Sequence, residues 1–453
     1  MVSFSFPSDL TSSFIGNGPS NRHPPSNTFK EKVCIIGSGN WGSAIATIIG
    51  KNCQKLSYVD SKVNMWVFDE KVSADEEDNK EQWLSDIINT HHENVKYLPG
   101  VELPKNVIAV PDLKEAIQNA TLLVFVLPHQ FLPSILPKIK EVIDRNSEND
   151  DTKCRGISLI KGLEFDRDTK LPISISDIIC TSIGNNFKCG VLMGANVAKE
   201  IALGQFSEST LATNFGSPYD ELTHLIFHSP PTFRVQVMSD IYGAETCGAL
   251  KNVIALGAGF VDALQLGGNT KAALLRIGLR EMKQFCKIFF DNIEDSTFLE
   301  SCGLADLITT CYGGRNRLCA EAFAKLRIED NGSNVGDFTN PATATTTTMI
   351  APEKCMKRWN KIEDDLLNGQ KLQGTLTCKD VYLALQATNM LEKFPLMRTI
   401  YGISFEGKPL SSLIEEGIII APFTTSDEGR SNVIKNEKMT QIGTPERDIL
   451  VKN

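Results

Sequence analysis

Three places in this chain combine residue types that suit chemistry. Lys251 lies in Cys247-Gly-Ala-Leu-Lys-Asn252, within a run of small apolar residues that continues to Phe260. Burying a lysine there disfavours the ammonium and pulls its pKa down, as a proton donor working near neutral pH requires. A lysine snorkelling from a helix to solvent would be written with the same letters. Lys161 follows Ile157-Ser-Leu-Ile160 and precedes Gly162. It falls at the carboxyl end of a strand, where open α/β sheets bind ligands, unless it is an ordinary loop lysine. The block Asp306-Leu-Ile-Thr-Thr310-Cys-Tyr-Gly-Gly-Arg315-Asn316-Arg317 suits a small phosphorylated ligand. A guanidinium can chelate two phosphate oxygens, Thr310 and Asn316 add neutral hydrogen bonds, and Asp306 can pair with a buried lysine. A solvated helix end with a Gly-Gly turn also accounts for that block. Two further segments carry less: His129 in Leu127-Pro-His-Gln-Phe131 reads as structural, and Leu366-Leu-Asn-Gly-Gln-Lys-Leu-Gln-Gly374 is a polar turn without chemistry of its own.

The elements that must position these groups begin with Val33-Cys-Ile-Ile36, Gly37-Ser-Gly-Asn-Trp-Gly42 and Ala44-Ile-Ala-Thr-Ile-Ile49. The first reads as a buried parallel strand, the last as a helix, and the glycines between them as a turn against something large. Gly37 permits the tight turn, Gly39 lets backbone touch a pyrophosphate, and Gly42 lets helix and strand pack closely. With its strand and helix in place, this GxGxxG predicts dinucleotide binding. Strand signals then recur at Met65-Trp-Val-Phe68, 122–127, 156–160 and 191–193, alternating with helical patterns at 81–90 and 112–119. That alternation predicts a doubly wound parallel sheet with helices on both faces. Beyond about residue 236 the pattern is helical, and at 270–290 Ala272, Leu275, Leu279, Met282, Cys286 and Phe289 fall on one face. The expected organisation is a polar tail at 1–30, a nucleotide-binding domain at 31–236, an all-helical domain at 237–422 and a second polar tail at 423–453. Within the helical part, 327–357 carries a Thr-rich insertion too poor in large apolar residues to offset its ordering entropy.

The 453 residues allow two domains with ample cores, and 42% hydrophobic with 22% charged residues is an ordinary globular balance. A net charge of −9 disfavours a nucleic-acid partner while leaving room for one basic pocket. The 12 cysteines form neither a CxxC pair nor a Cys/His cluster at metal spacing, so reduced thiols, no metal and a cytoplasmic home are expected. No apolar run reaches the roughly 18–20 residues of a membrane span. The Ser/Pro/Asn-rich start lacks a secretory core and, with a single Arg22, does not read as a mitochondrial presequence.

Taken in order, these segments resemble the soluble eukaryotic NAD-dependent glycerol-3-phosphate dehydrogenases. The likeness runs through Val33 to Ile45, Met65-Trp-Val-Phe68, Thr90-His-His-Glu-Asn-Val-Lys-Tyr-Leu-Pro-Gly100, Val126-Leu-Pro-His-Gln-Phe131, Ile157 to Gly162 and Met193-Gly-Ala-Asn196. It continues through Cys247 to Asn252, Thr297-Phe-Leu-Glu-Ser-Cys-Gly-Leu-Ala-Asp306, Thr309 to Arg317 and Asn368 to Gly374, and leaves out the tails and the insertion. The resemblance implies a Rossmann-type domain followed by a helical substrate domain, and interconversion of dihydroxyacetone phosphate and sn-glycerol 3-phosphate with NAD. It implies Lys251 as the proton donor and acceptor, Lys161 and Asp306 in the catalytic group, and Lys161, Thr310, Arg315 and Asn316 around the substrate. For the cofactor it implies Gly37, Ser38, Gly39, Asn40, Trp41, Gly42, Phe68, Phe131, Ala198, Arg315, Lys371 and Gln373. A homodimer is implied too. Two other readings fit the nucleotide fingerprint: a hydroxyacid- or phosphogluconate-type dehydrogenase, opposed by the 306–317 block, and a non-catalytic NAD-binding regulator, opposed by the presence of Lys161, Lys251 and Asp306 together. Asp69 and Glu70, after the second strand, are expected to favour NAD over its 2′-phosphorylated form.

Overall fold

The computed structural model describes residues 30–73, 81–147, 154–184, 186–330, 349–367 and 369–420. The C-terminal tail, the core of the insertion and all of the N-terminal tail except Lys30 lie outside them. The insertion's expected ends are helical, since 327–330 closes one helix and 352–357 opens another.

Eight strands form the main sheet: β1 (Val33–Ile36), β2 (Val63–Trp66), β3 (Val107–Val110), β4 (Leu122–Phe125), β5 (Arg155–Ser158), β6 (Lys188–Met193), β7 (Ser207–Ala212) and β8 (Phe233–Met238). Their order across the sheet is β8-β7-β6-β5-β4-β1-β2-β3. β1 to β6 run parallel, β7 is antiparallel to β6, and β8 is parallel to β7. Every residue of β1 and β4 is buried. Ile35 and Val124 pack into one apolar layer, whereas Cys34, Ile36, Leu123 and Phe125 pack into the other. Burial on both faces is why these strands read as continuous apolar runs instead of alternating ones. The chain reverses direction of progress across the sheet between β1 and β4, which opens a crevice at their carboxyl ends. Helix α1 (Asn40–Cys53) starts there.

After β8, Asp240 caps helix α2 (Ile241–Ala263) by accepting a hydrogen bond from the Gly243 N–H at 2.7 Å. Nearly all of α2 is buried, because α3 (Gly267–Phe289), α4 (Asp306–Gly313), α5 (Arg315–Asp330) and α7 (Gln373–Ala387) pack around it, with α6 (Pro352–Leu367) against α5. Gly259 lets α5 cross closely, since a Cβ there would lie 2.3 Å from the Arg317 carbonyl.

The buried face of α3 is wider than the expected stripe. Met282, Cys286 and Phe289 are buried as expected, Leu275 and Leu279 pack against the core and Ala272 is exposed, while Lys271, Leu274, Ile277, Gly278, Glu281 and Phe285 are buried besides. Two charged residues hide this face from a hydrophobicity pattern. Lys271 pairs with Asp262 at 2.8 Å, and Glu281 accepts the Leu396 and Met397 N–H groups at 2.8 and 2.9 Å. The expected helix at 81–90 is also shorter: Glu81–Trp83 pairs as a strand with Lys71–Ser73, and the helix is Leu84–His91.

Candidate active site

Lys251 is fixed by the burial of α2 and is only 6% exposed. Its Nζ donates to Asp306 Oδ1 at 2.6 Å and to Thr310 Oγ1 at 2.8 Å. The other carboxylate oxygen of Asp306 accepts from Lys161 Nζ at 2.9 Å, and Lys161 also donates to the Gly194 carbonyl at 2.7 Å. One buried carboxylate therefore bridges two lysines, one from the sheet side and one from the helical side. Burial pulls the Lys251 pKa down from 10.5 to about 8, and the neighbouring Lys161 ammonium adds to the fall against the opposing pull of Asp306.

Local structure aims these groups. Asp306 begins α4 directly after a wide π-helical turn, Ser301–Ala305, and π turns of this kind recur at functional sites. Ser301 Oγ ties that turn to β7 by donating to the Glu208 carbonyl at 2.7 Å. Gly194 must lack a side chain, because a Cβ there would lie 2.7 Å from both the Glu208 oxygen and Ser301 Oγ. Asp306 and Thr310, one turn apart on α4, present their oxygens to the same ammonium.

Asn316, at the start of α5, is buried beside this cluster, its Nδ2 donating to Asn252 Oδ1 at 2.9 Å. Arg315 is exposed, and among the described residues its guanidinium has no hydrogen-bond or ion-pair partner. Arg317 is committed elsewhere, to Asp262 at 2.6 Å and Glu321 at 3.0 Å. Of the two arginines in the block, Arg315 is the one free to meet an anion.

The Gly37–Gly42 turn fits a dinucleotide. Gly37 has φ +120°, and a Cβ on it would lie 2.3 Å from the Val126 carbonyl at the end of β4. A Cβ on Gly42 would meet the Gly37 carbonyl at 2.2 Å. Around Gly39 there is open space: a Cβ would find nothing within 4 Å. Gly39 begins α1 with no side-chain cap, and the first turn carries no acid, so the helix N–H groups face that space unspent. Ser38 is buried, Trp41 is half-buried, and the exposed Asn40 donates to the Tyr97 carbonyl at 2.8 Å. Phe68 and Phe131 stand 75% and 50% exposed, so their ring faces are open to a planar ligand. Ala198 starts a short helix packed against Ala44 and Trp41. Lys371 and Gln373 flank the start of α7; Lys371 Nζ donates to Glu363 at 2.7 Å and Gln373 is half-buried. Asn368 lies outside the described residues.

The two acids after β2 are already engaged. Asp69 accepts from the Ser85 N–H and hydroxyl at 3.0 and 2.8 Å, and Glu70 accepts from the Tyr97 hydroxyl at 2.8 Å and from Lys96. They remain a source of negative potential without a carboxylate oxygen standing free.

Four positioning residues escape sequence reasoning. Asn94 is fully buried and donates to the Ser38 carbonyl and Ser43 Oγ, both at 2.8 Å, which steadies the glycine turn. Gly194, Asn252 and Glu363 do comparable work around Lys161, Asn316 and Lys371. Asn94, Gly194 and Asn252 sit within motifs noted above, but nothing local marks them apart from their neighbours.

Comparison with known proteins identifies the family. Residues 32–217 match the family model for the NAD-dependent glycerol-3-phosphate dehydrogenase N-terminus, and 240–415 that for its C-terminus. Glycerol-3-phosphate dehydrogenase 1-like protein of Danio rerio is 46% identical over 389 residues, covering 84% of this chain and 96% of the relative. The human cytoplasmic glycerol-3-phosphate dehydrogenase [NAD(+)] is 44% identical over 386 residues, covering 85% and 96%. Among solved structures, the glycerol-3-phosphate dehydrogenase of Saccharomyces cerevisiae superposes with a TM-score of 0.71 at 36% identity, covering 85% of this chain and 99% of that one. The chain belongs to the NAD-dependent glycerol-3-phosphate dehydrogenase family, whose cofactor is NAD.

Proposed function

We propose that the chain interconverts dihydroxyacetone phosphate and sn-glycerol 3-phosphate, with Lys251 as general acid in reduction and general base in oxidation. The observation that carries this reading is the Lys251–Asp306–Lys161 bridge. Lys251 has three N–H donors; Asp306 and Thr310 take two, which leaves one to point at a substrate oxygen. With its pKa near 8 it holds a proton at neutral pH yet can release it. As negative charge develops on the carbonyl oxygen, Lys251 hands over that proton, and the ammonium of Lys161 stabilises what remains. Asp306 keeps both lysines in register, one on each carboxylate oxygen. When bound, the cofactor would give the hydride as NADH in reduction and accept it as NAD+ in oxidation; Gly37–Gly42 would hold its pyrophosphate, with Phe68, Phe131, Ala198, Arg315, Lys371 and Gln373 as further contacts. Arg315, Thr310 and Asn316 receive the phosphorylated substrate, Arg315 by its two-pronged guanidinium.

The working unit in this reading is a nucleotide domain at 31–236 and a substrate domain at 237–422, with the Lys161 and Lys251 side chains meeting across their boundary. A homodimer in the cytoplasm follows from the family likeness; the human and rat relatives carry "cytoplasmic" in their names. Among the described residues no helix is long and apolar enough to cross a membrane.

The test is NADH oxidation by the purified protein, with dihydroxyacetone phosphate and with unphosphorylated dihydroxyacetone at equal concentration. Turnover is expected with the first and is expected to be lower by orders of magnitude with the second, because Arg315 and Asn316 lose their ligand. Comparable rates with both would remove the phosphate site from the reading.

A further inference from the structure

The side-chain amide of Asn316 joins two parts of the site that the proposed roles keep separate. Its Nδ2 donates to Asn252 Oδ1 at 2.9 Å, and Asn252 follows Lys251 on α2. Its Oδ1 accepts the Gly374 N–H at 2.8 Å, 58 residues away in sequence. Because Gly374 can only donate there, the amide's orientation is set, and its second N–H remains for a ligand. Gly374 directly follows Gln373 and lies three residues after Lys371. A Cβ on Gly374 would lie 2.6 Å from Asn316 Oδ1 and 2.9 Å from the Asn252 carbonyl, so this backbone rests against the helix that carries Lys251.

The other side of the 369–374 segment is pinned to α6. Glu363 accepts the Leu372 N–H at 3.1 Å through its carboxylate, and its backbone carbonyl accepts the Gly369 N–H at 3.0 Å. Glu363 and Asn316 therefore fix the segment from two sides. Only the Asn316 anchor sits in the block proposed to hold phosphate.

We propose that Asn316 is a positioning residue for the cofactor-side segment, and that through Gly374 it couples NAD affinity to occupancy of the substrate phosphate site. The proposal rests on the reading of Arg315 and Asn316 as substrate contacts and of Lys371 and Gln373 as cofactor contacts. A ligand that orders the Asn316 amide also orders Gly374 and Gln373. Linkage then makes the effect mutual: nucleotide bound first strengthens binding of the phosphorylated substrate by the same factor.

The test is direct titration of NADH, followed by fluorescence, on the purified full chain without substrate, beside KM for dihydroxyacetone phosphate. Asn316→Ala removes the acceptor for Gly374 and is expected to weaken NADH by roughly 3- to 10-fold, the range of one neutral hydrogen bond, while KM also rises. Asn316→Asp separates the roles. A carboxylate oxygen still accepts the Gly374 N–H, and the Asn252 amide can turn its own N–H to the other oxygen. NADH affinity should stay within about twofold of wild type, whereas the added charge repels the phosphate and KM rises further than in Asn316→Ala. Should Asn316→Ala fail to fold, Asn316→Ser gives the same comparison. A weakened NADH with unchanged KM keeps Asn316 as the anchor of Gly374 but removes it from the substrate contacts, and so overturns the coupling. A raised KM with NADH affinity at the wild-type value in the alanine or serine variant overturns the coupling and leaves the substrate role standing.

Discussion

Asp306→Asn isolates the electrostatics of the bridge with almost no change of shape. In the native site both lysines lean on this carboxylate, Lys251 at 2.6 Å and Lys161 at 2.9 Å. An amide keeps one acceptor oxygen but turns an NH2 group toward one of the ammoniums and removes the negative charge. An adjacent opposite charge is worth about 1–3 pKa units, so losing it should bring Lys251 from about 8 to roughly 6. Lys161, no longer neutralised, pushes the same way. At pH 7 the protonated fraction of Lys251 then falls from roughly nine-tenths to roughly one-tenth, about a tenfold loss of proton donor before any loss of positioning. The assay is kcat/KM for reduction of dihydroxyacetone phosphate across pH 5 to 9. Wild type should lose activity above a pKa near 8, and the variant above a pKa about 2 units lower. Oxidation of glycerol 3-phosphate needs the neutral amine, so its rising limb should move down in parallel. Removing one partner of a buried pair costs about 3–5 kcal/mol, so the comparison belongs at a temperature where cooperative melting and NADH binding show the variant folded. A folded Asp306→Asn whose limb stays at 8 would refute the assignment of that limb to Lys251.

The remaining predictions bear on other parts of the site and on the fold. Arg315→Ala should raise KM for the phosphorylated substrate, with a smaller effect on kcat, because its fork holds ground state and transition state alike; a selective fall in kcat would place Arg315 at the reacting centre. NADPH should be used less efficiently than NADH by at least about tenfold, since Asp69 and Glu70 hold negative charge where a 2′-phosphate would lie; equal efficiencies would contradict this. Burial raises the carboxyl pKa of Glu245 from 4.5 to about 8 and that of Glu281 to about 7, so each favours the folded state most below 4.5, and that contribution is lost as pH rises through 7 to 8. Glu245→Gln mimics the neutral acid toward the Ser176 N–H and hydroxyl, so it should match wild type in urea near pH 5 and exceed it above pH 8; a difference independent of pH would show that Glu245 is ionised in the fold.

The nucleotide half is legible because its signals are local. β1 and β4 are buried on both faces and leave unbroken apolar runs, and within one turn Gly37 and Gly42 each answer a separate steric demand while Gly39 faces open space. Lys251 is legible because twenty of the residues of α2 are buried, which makes a lysine among them conspicuous. What is not legible depends on distant partners. β7 and β8 carry mixed residues toward the edge of the sheet, and β8 has exposed Arg234 and Gln236 between buried Phe233 and Val235 in place of an unbroken apolar run. Part of the buried face of α3 is not legible because Lys271 and Glu281 are buried by partners at 262 and at 396–397. The Asn316–Gly374 bond spans 58 residues, and the Asn94 bond to the Ser38 carbonyl spans 56. No periodicity reports such pairs.

Lys251→Ala decides whether the proton passes through Lys251, with turnover measured beside NADH affinity. The substitution leaves Asp306 paired with Lys161, so no carboxylate is stranded in the site. It is expected to lower kcat by at least about 10²–10⁴, the range for loss of a general acid, while NADH binds as before because the glycine turn is untouched. Turnover within a few-fold of wild type, in protein that still melts cooperatively, would take the proton away from Lys251 and assign it to Lys161 or water.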